Sequence, residues 1–251
     1  MDLGLAGKNV IVTGASRGIG QACAMAFAAE GANLAICARR LEALEKTQAE
    51  LRNHGGAVFA KSCDVSDSDA LSRFLSDANS ELGGIDILIN NTSGFGLTDD
   101  EAGWEAGWSV DMMASVRAVW QVVPWMEARG GGSIVHISSI SGLETGSPPA
   151  YTAVKAALIA HSKTSAAELA PKNIRVNCIA PGSVEFEGGL WRQIKHENRD
   201  MYDAMLACIP FGRMGTPEEI ASSVVFVASP KASWVSGAML LVDGVQHKGI
   251  F

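Results

Sequence analysis

The sequence contains no run of the roughly eighteen apolar residues that a membrane-spanning helix needs. Its start, MDLGLAGKNVIVTG, lacks the basic residues and long apolar core of a secretory signal, so the expectation is a protein that stays where it is made, in the cytoplasm. Basic clusters are missing as well. With 20 Lys and Arg against 27 Asp and Glu, the formal charge is −7, and without a positive surface no nucleic-acid partner is expected. Cysteine is scarce and scattered: Cys23, Cys37, Cys63, Cys178 and Cys208 form no CxxC pair and have no histidine at ligand spacing. That pattern argues against a disulfide framework and a zinc site, and reads as reduced, mostly buried thiols. No linker, internal repeat or low-complexity stretch interrupts Lys8 to Asp243, so one domain over residues 1–251 is expected.

What is present is apolar and rich in glycine: 47% hydrophobic residues, 19% charged and 27 glycines, the balance of a globular α/β chain. Seven short Val- and Ile-rich runs recur: NVIVTG, NLAICA, AVFAKS, IDILIN, GSIVHIS, IRVNCIA and AMLLVDG. Several are apolar throughout, as strands covered on both faces should be. Between them lie segments with helical spacing, such as IGQACAMAFAAEG and DALSRFLSDANSELGG, the second preceded by an Asp/Ser-rich start suited to capping. Alternating strands and helices predict a doubly wound parallel sheet with helices on both faces. The least regular stretch, at about residues 183–215, reads as a lid or substrate loop.

In VIVTGASRGIG, Gly14, Gly18 and Gly20 follow a strand and open a helix. Glycine permits a tight turn and close backbone approach, and a helix amino terminus offers free N–H groups and a positive dipole end to a pyrophosphate. A dinucleotide is the expected ligand. At the end of the second strand, in AICARRLEAL, an acidic residue that would bind both ribose hydroxyls is missing; Ala38 stands there, followed by Arg39 and Arg40. Guanidinium groups suit a 2′-phosphate, so NADP(H) is favoured over NAD(H), with Arg17 as a second contact.

The stretch PPAYTAVKAALIAHS places Tyr151 and Lys155 four residues apart, on one face of a helix. Carbonyl reduction needs a proton donor within reach of the developing alkoxide, and a phenol with an ordinary pKa of about 10 is a poor base at neutral pH. A cation about 4 Å away in an environment of effective dielectric near 20 contributes roughly 4 kcal/mol, up to about three pKa units before the lysine's own desolvation is counted.

With TGASRGIG, CDV at residues 63–65, NN at residues 90–91, ISSISG, YTAVK and APG in this order, the chain resembles the short-chain dehydrogenase/reductase family over nearly its whole length, most of all the NADPH-dependent ketoreductases that include the 3-oxoacyl-carrier-protein reductases. The resemblance implies a cofactor turn of Gly14, Ser16, Arg17, Gly18, Ile19 and Gly20, adenine contacts from Asp64 and Val65, a ribose contact from Asn90, and a nicotinamide site lined by Pro181, Gly182 and Val184. It makes Tyr151 the proton donor and Lys155 the residue that holds the nicotinamide ribose and lowers the phenol's pKa. It also implies a homotetramer, which suits the small face of Ala153, Ala156, Ala157 and Ala160. Two routes to the catalytic serine disagree: counting back from Tyr151 gives Ser138, whereas aligning the strand GSIVHISSISG on its flanking glycines gives Ser139. The strand alignment is preferred, because a loop loses a residue more easily than a buried strand slips register.

Three positions depart from the family pattern. The asparagine of the helix before the serine strand is Asp111, NNAG becomes NNTSG, and the threonine expected after PG is Phe186. In the family that amide helps hold a water of the proton path to the lysine; an ionised Asp111 favours the charged lysine instead. Phe95, Leu143, Trp191, Tyr202, Met205 and Phe211 are candidates for an apolar pocket, pointing to a hydrophobic or aromatic carbonyl substrate, while Glu144, Glu185, Glu187 and His196 offer polar contacts. The expected activity is interconversion of a ketone and a secondary alcohol. The rival reading, kept open by Asp111 and Phe186, is a catalytically weak NADP(H)-binding sensor or scaffold.

Overall fold

The computed structural model describes residues 2–250. All seven apolar runs become strands: β1 (Asn9–Thr13), β2 (Asn33–Ala38), β3 (Val58–Ser62), β4 (Ile87–Asn90), β5 (Gly132–Ile137), β6 (Ile174–Pro181) and β7 (Met239–Val242). They pair in parallel in the order β3-β2-β1-β4-β5-β6-β7. The connections are helical, as parallel pairing requires: α1 (Gly18–Ala29), α2 (Leu41–Arg52), α3 (Ser68–Leu82), α4 (Glu101–Ala106), α5 (Ala114–Ala128), α6 (Pro149–Leu169), α7 (Leu190–Glu197), α8 (Arg199–Ala207) and α9 (Pro217–Ala228). This is a Rossmann-type sheet.

The period-two alternation of each strand divides the core. Val10, Val12, Leu34, Ile36 and Ile89 pack on one face beneath α1, α2 and α9, while Ile11, Ala35, Leu88 and Ile134 pack on the other beneath α3, α5 and α6. Sequence-level capping is realised at α3, where the Asp67 carboxylate accepts from the N–H groups of Asp69 (2.9 Å) and Ala70 (3.0 Å), and Gly83 ends the helix at φ +70°. Strand order reverses between β1 and β4, so the loops leaving their carboxyl ends diverge and open the crevice in which such sheets bind ligands.

The 183–215 segment is more ordered than a loop. It contains α7 and α8 and closes at its base through a parallel bridge between Val184 and Gly215. It also has a small core of its own, Tyr202, Ile209 and Met214, with Trp191, Ile194, Met205 and Leu206 against it.

His136 lies fully buried in the middle of β5, with Nδ1 3.3 Å from the Asn90 amide and its ring edge-on to His161 at 5.4 Å. Burial, helped by His161, pushes its pKa down to about 3. The unfolded chain takes up this proton near pH 6.5 and the native chain refuses it, so stability falls as the pH drops below about 6.5, by about 1.4 kcal/mol per unit. Urea denaturation at pH 7 and pH 5 is expected to show the wild type losing about 2 kcal/mol more than His136→Asn. Equal losses in the two proteins would refute this.

Candidate active site

The glycine turn leaves β1 with Gly14 at φ +69° and Gly18 at φ +55°, conformations that side chains disfavour. Gly20 is constrained by space: a Cβ there would run into the Gly14 carbonyl oxygen and the Asn91 amide. Asn91 braces the turn by donating through Nδ2 to the carbonyls of Thr13 (3.1 Å) and Gly14 (3.2 Å). Sequence reading missed this role, although the second asparagine of the NN pair was its signal. Helix α1 begins with Arg17 extended at its N-cap position, no side-chain cap and no acidic residue in its first turn. Its N–H groups remain available to an anion, and the turn fits a dinucleotide pyrophosphate. Ser16 and Ile19 flank it, half-buried.

Phe186 reaches the same turn. A Cβ on Gly18 would lie 2.5–3.0 Å from its ring, and Arg17 Nη1 donates to the Gly188 carbonyl at 2.5 Å. The residue standing where the family pattern expects threonine therefore packs against the glycine turn, and the 183–215 segment is tied to the start of α1.

At the far end of the crevice Ala38 is buried and Arg39 and Arg40 are exposed; among the described residues neither guanidinium has a hydrogen-bond or ion-pair partner. The Asp64 carboxylate accepts from the Ser66 N–H (3.0 Å) and hydroxyl (2.7 Å), beside buried Val65. The side chain of Asn90 is held by His136, as described above. Pro181 ends β6, and Gly182 donates to the Val242 carbonyl at 3.1 Å in a space where a Cβ would strike Asp243 and Gln246. Val184 is buried at the root of the 183–215 segment.

Helix α6 starts with Pro149 at its first position, a residue whose missing N–H has no partner to lose there. Tyr151 and Lys155 share a face, with Lys155 Nζ 5.5 Å from the phenol ring centroid. Lys155 is 2% exposed; its Nζ donates to the Ile137 carbonyl (3.2 Å) and lies 2.8 Å from Asp111 Oδ1. Asp111, 1% exposed, stands in a π-helical segment, Gly107–Met113, between α4 and α5. The wider turn disturbs the backbone ladder, and the Ser115 hydroxyl donates to the Asp111 carbonyl at 2.8 Å.

Oδ1 makes its contact with Lys155 outside hydrogen-bond alignment, as an ion pair, whereas Oδ2 accepts from the Gly94 N–H at 2.6 Å. Burial pulls the Lys155 ammonium down, but Asp111 and Tyr151 together outweigh it and hold the pKa above the ordinary lysine value. In place of the water-mediated link expected from the family, the carboxylate contacts the lysine directly.

The two candidate serines separate cleanly. Ser138 is buried and donates through Oγ to the Lys155 carbonyl at 2.8 Å, tethering α6 to the end of β5. Ser139 is half-buried, and its hydroxyl accepts from the Ser141 N–H at 3.1 Å, which leaves its own proton free to donate.

Several anticipated pocket residues are spent elsewhere. Trp191, Tyr202 and Met205 belong to the small core of the 183–215 segment, and Phe211 is exposed. Glu185 accepts from the Tyr202 hydroxyl, Arg192 (2.8 Å) and Lys195 (2.9 Å), which outweigh its desolvation and hold its pKa at about 2. Glu187 lies 3.4 Å from Arg192 Nε, and Glu144 pairs with His247 at 2.9 Å. A cavity of about 440 Å³ opens between the 183–215 segment and the start of α9, lined by Phe186, Arg192 and Arg213 among others, and none of Ser139, Tyr151 and Lys155 lines it. Among the described residues no cluster of three or more His, Cys, Asp or Glu is placed to hold a metal ion, and no helix is long and apolar enough to cross a membrane.

Comparison with known proteins agrees with this geometry. The family model for enoyl-(acyl carrier protein) reductase matches residues 14–245. The 3-oxoacyl-(acyl-carrier-protein) reductase FabG of Chlamydia muridarum is 39% identical over 253 residues, 96% of this chain and 97% of the relative. L-Sorbose reductase of Gluconobacter frateurii, solved with NADPH and L-sorbose, superposes with a TM-score of 0.92 at 35% identity and full coverage of both chains. A 7α-hydroxysteroid dehydrogenase, solved with NADH and 7-oxo glycochenodeoxycholic acid, superposes at 0.91 and 33% identity, covering 100% of this chain and 98% of the other. The chain belongs to the short-chain dehydrogenase/reductase family of oxidoreductases, on the side that includes the 3-oxoacyl-carrier-protein reductases.

Removing one partner of a buried pair leaves the other charge uncompensated. Asp111→Ala is expected to lose about 3–5 kcal/mol at pH 7 in urea denaturation. Lys155→Met in the same background should recover part of that loss, and no recovery would show that the pair does not carry the cost.

Proposed function

We propose that the chain is an NADP(H)-dependent oxidoreductase that interconverts a ketone and a secondary alcohol on a hydrophobic or aromatic carbonyl substrate. The observation that carries this reading is the line Tyr151, Lys155, Asp111: a half-exposed phenol facing a buried ammonium that a buried carboxylate keeps charged. A protein that only binds dinucleotide has no use for such an arrangement.

A nicotinamide held by Pro181, Gly182 and Val184 would supply or accept the hydride. Ser139 donates a hydrogen bond to the substrate oxygen, orienting the carbonyl and stabilising charge as it becomes an alkoxide. Tyr151 gives its phenolic proton to that oxygen, and in the direction of alcohol oxidation takes it back. Lys155 makes the phenolate easier to form, because its positive charge lowers the work of leaving a negative charge on the ring oxygen. Asp111 acts through the lysine, as a positioning and charge-holding residue. Gly14, Ser16, Arg17, Gly18, Ile19 and Gly20 hold the pyrophosphate, Asp64, Val65 and Asn90 the adenosine and ribose, and Pro181, Gly182 and Val184 the nicotinamide.

The choice of NADP(H) rests on Arg39 and Arg40, two exposed guanidinium groups without partners at the end of β2. The NADPH bound by the sorbose reductase is in keeping with it. A homotetramer is the proposed assembly, since Trp108 and Trp120 stand 47% and 66% exposed on the π segment and α5, and α6 carries the small residues Ala153, Ala156, Ala157 and Ala160.

NADPH and NADH consumption over ketones, diketones and 3-oxoacyl thioesters tests the reading. Wild-type turnover with NADPH that Tyr151→Phe reduces by at least about 10²-fold, with dinucleotide binding intact, is the expected result. Tight binding without turnover of any substrate would favour the sensor or scaffold. Asp111→Asn removes the charge that raises the Lys155 pKa, so the ammonium gives up its proton at a lower pH and the alkaline limb of the pH–rate profile is expected to move down. An unmoved profile would separate Asp111 from the proton path.

A further inference from the structure

Phe95 holds a backbone conformation that its side chain disfavours, with φ +47°, in the left-handed region that a bulky residue rarely enters. The strain is imposed from both sides. A Cβ on Gly94 would strike the Ala106 carbonyl oxygen and one on Gly96 the Gly103 carbonyl oxygen, so the loop is pressed onto the backbone of α4. Gly94 is further fixed by its N–H donating to Asp111 Oδ2 at 2.6 Å. The same carboxylate therefore places the loop and pairs with Lys155.

Within the loop the Phe95 N–H donates to Ser93 Oγ at 3.2 Å, and its side chain gains no place in the core in return for the strain. Phe95 is 45% exposed and joins none of the buried hydrophobic clusters. Its aromatic neighbour is Tyr151: the two rings lie 5° from parallel with centroids 6.3 Å apart. Parallel and stacked, the two rings form an aromatic wall, and Phe95, nearly half exposed, leaves part of it open. Strained, exposed residues next to reacting groups mark sites where the conformation serves a ligand.

We infer that Phe95 is a specificity-determining residue, which selects ketones whose carbonyl is attached to a planar aromatic or conjugated ring by stacking that ring beside Tyr151. A planar ring can lie flat on the wall while its carbonyl oxygen reaches the phenol and Ser139, whereas a saturated ring of the same skeleton is thicker and offers no π face. This inference rests on the reading of Tyr151 as proton donor, and it adds the residue that sorts substrates ahead of the chemistry.

Acetophenone and cyclohexyl methyl ketone share a carbon skeleton and differ in ring planarity. Their dissociation constants are measured by ligand-observed NMR with saturating oxidised dinucleotide, which cannot reduce a ketone. Wild-type protein is expected to bind acetophenone about 3–10-fold more tightly, a ratio that Phe95→Tyr keeps and Phe95→Leu brings close to one. A ratio of one in the wild type, a ratio unchanged by Phe95→Leu, or no binding of either ketone overturns the inference. Phe95→Gly should leave the melting temperature unchanged or higher, because it removes the strain; a clear fall would make Phe95 a structural residue and overturn it too. The Tyr151→Phe turnover assay fails or succeeds independently of the binding ratio, so the two readings are separable.

Discussion

The buried pair of Asp111 and Lys155 is the constraint on which the site depends. A lysine 2% exposed would by burial alone tend to lose its proton, and an aspartate 1% exposed is costly without a partner. Together they keep a positive charge beneath Tyr151, and they also join parts of the chain that would otherwise be independent: α6 through Lys155, the end of β5 through the Ile137 carbonyl, the π segment through Asp111, and the loop after β4 through Gly94. A buried ion pair is weak evidence of net stability, because its desolvation offsets its attraction. Here it ties the four segments to one another at a single buried point.

The fold was almost fully legible in the sequence. Seven apolar runs became seven strands, and the alternation of strand and helix was enough to specify parallel pairing, because local hydrophobic pattern and chain connectivity point to the same answer. The glycine turn and the Tyr151–Lys155 spacing were equally readable, since both depend on short-range geometry. What escaped was long-range: that Asn91 braces the turn, that the Asp111 carboxylate meets the lysine directly, and that Trp191, Tyr202 and Met205 fold onto one another within the 183–215 segment. An apolar residue in an irregular segment carries no mark of whether it faces a ligand or its own neighbours, and only the pairing of distant elements decides.

The molecule combines a sheet buried on both faces with a 183–215 segment that has a small core of its own. The carboxyl ends of β1, β4, β5 and β6 present the glycine turn, Asn90, Ser139 and Pro181 from strands buried on both faces, so these positions move little. That segment carries its own core and its own ionic cluster around Glu185, and meets the glycine turn through Phe186 and the Arg17 to Gly188 hydrogen bond. Changes to its outer residues leave the sheet's packing untouched, which suits a family whose members act on carbonyls as different as a sugar and a steroid.

The order of the strands also governs how the chain can assemble. β1 is flanked by β2, which follows it closely, and by β4, whose Ile87 pairs with Val10 only after three helices have been made. Asn9 seals that late junction through its amide to the carbonyls of Leu82 (2.7 Å) and Gly84 (2.8 Å). During synthesis from the amino terminus, the inner edge of β1 is therefore an open ribbon, with Val10, Ile11 and Val12 at its centre, until β4 leaves the ribosome. The nascent chain is most exposed to mispairing with its neighbours in that interval, and a chaperone that recognises extended hydrophobic segments has its best target there.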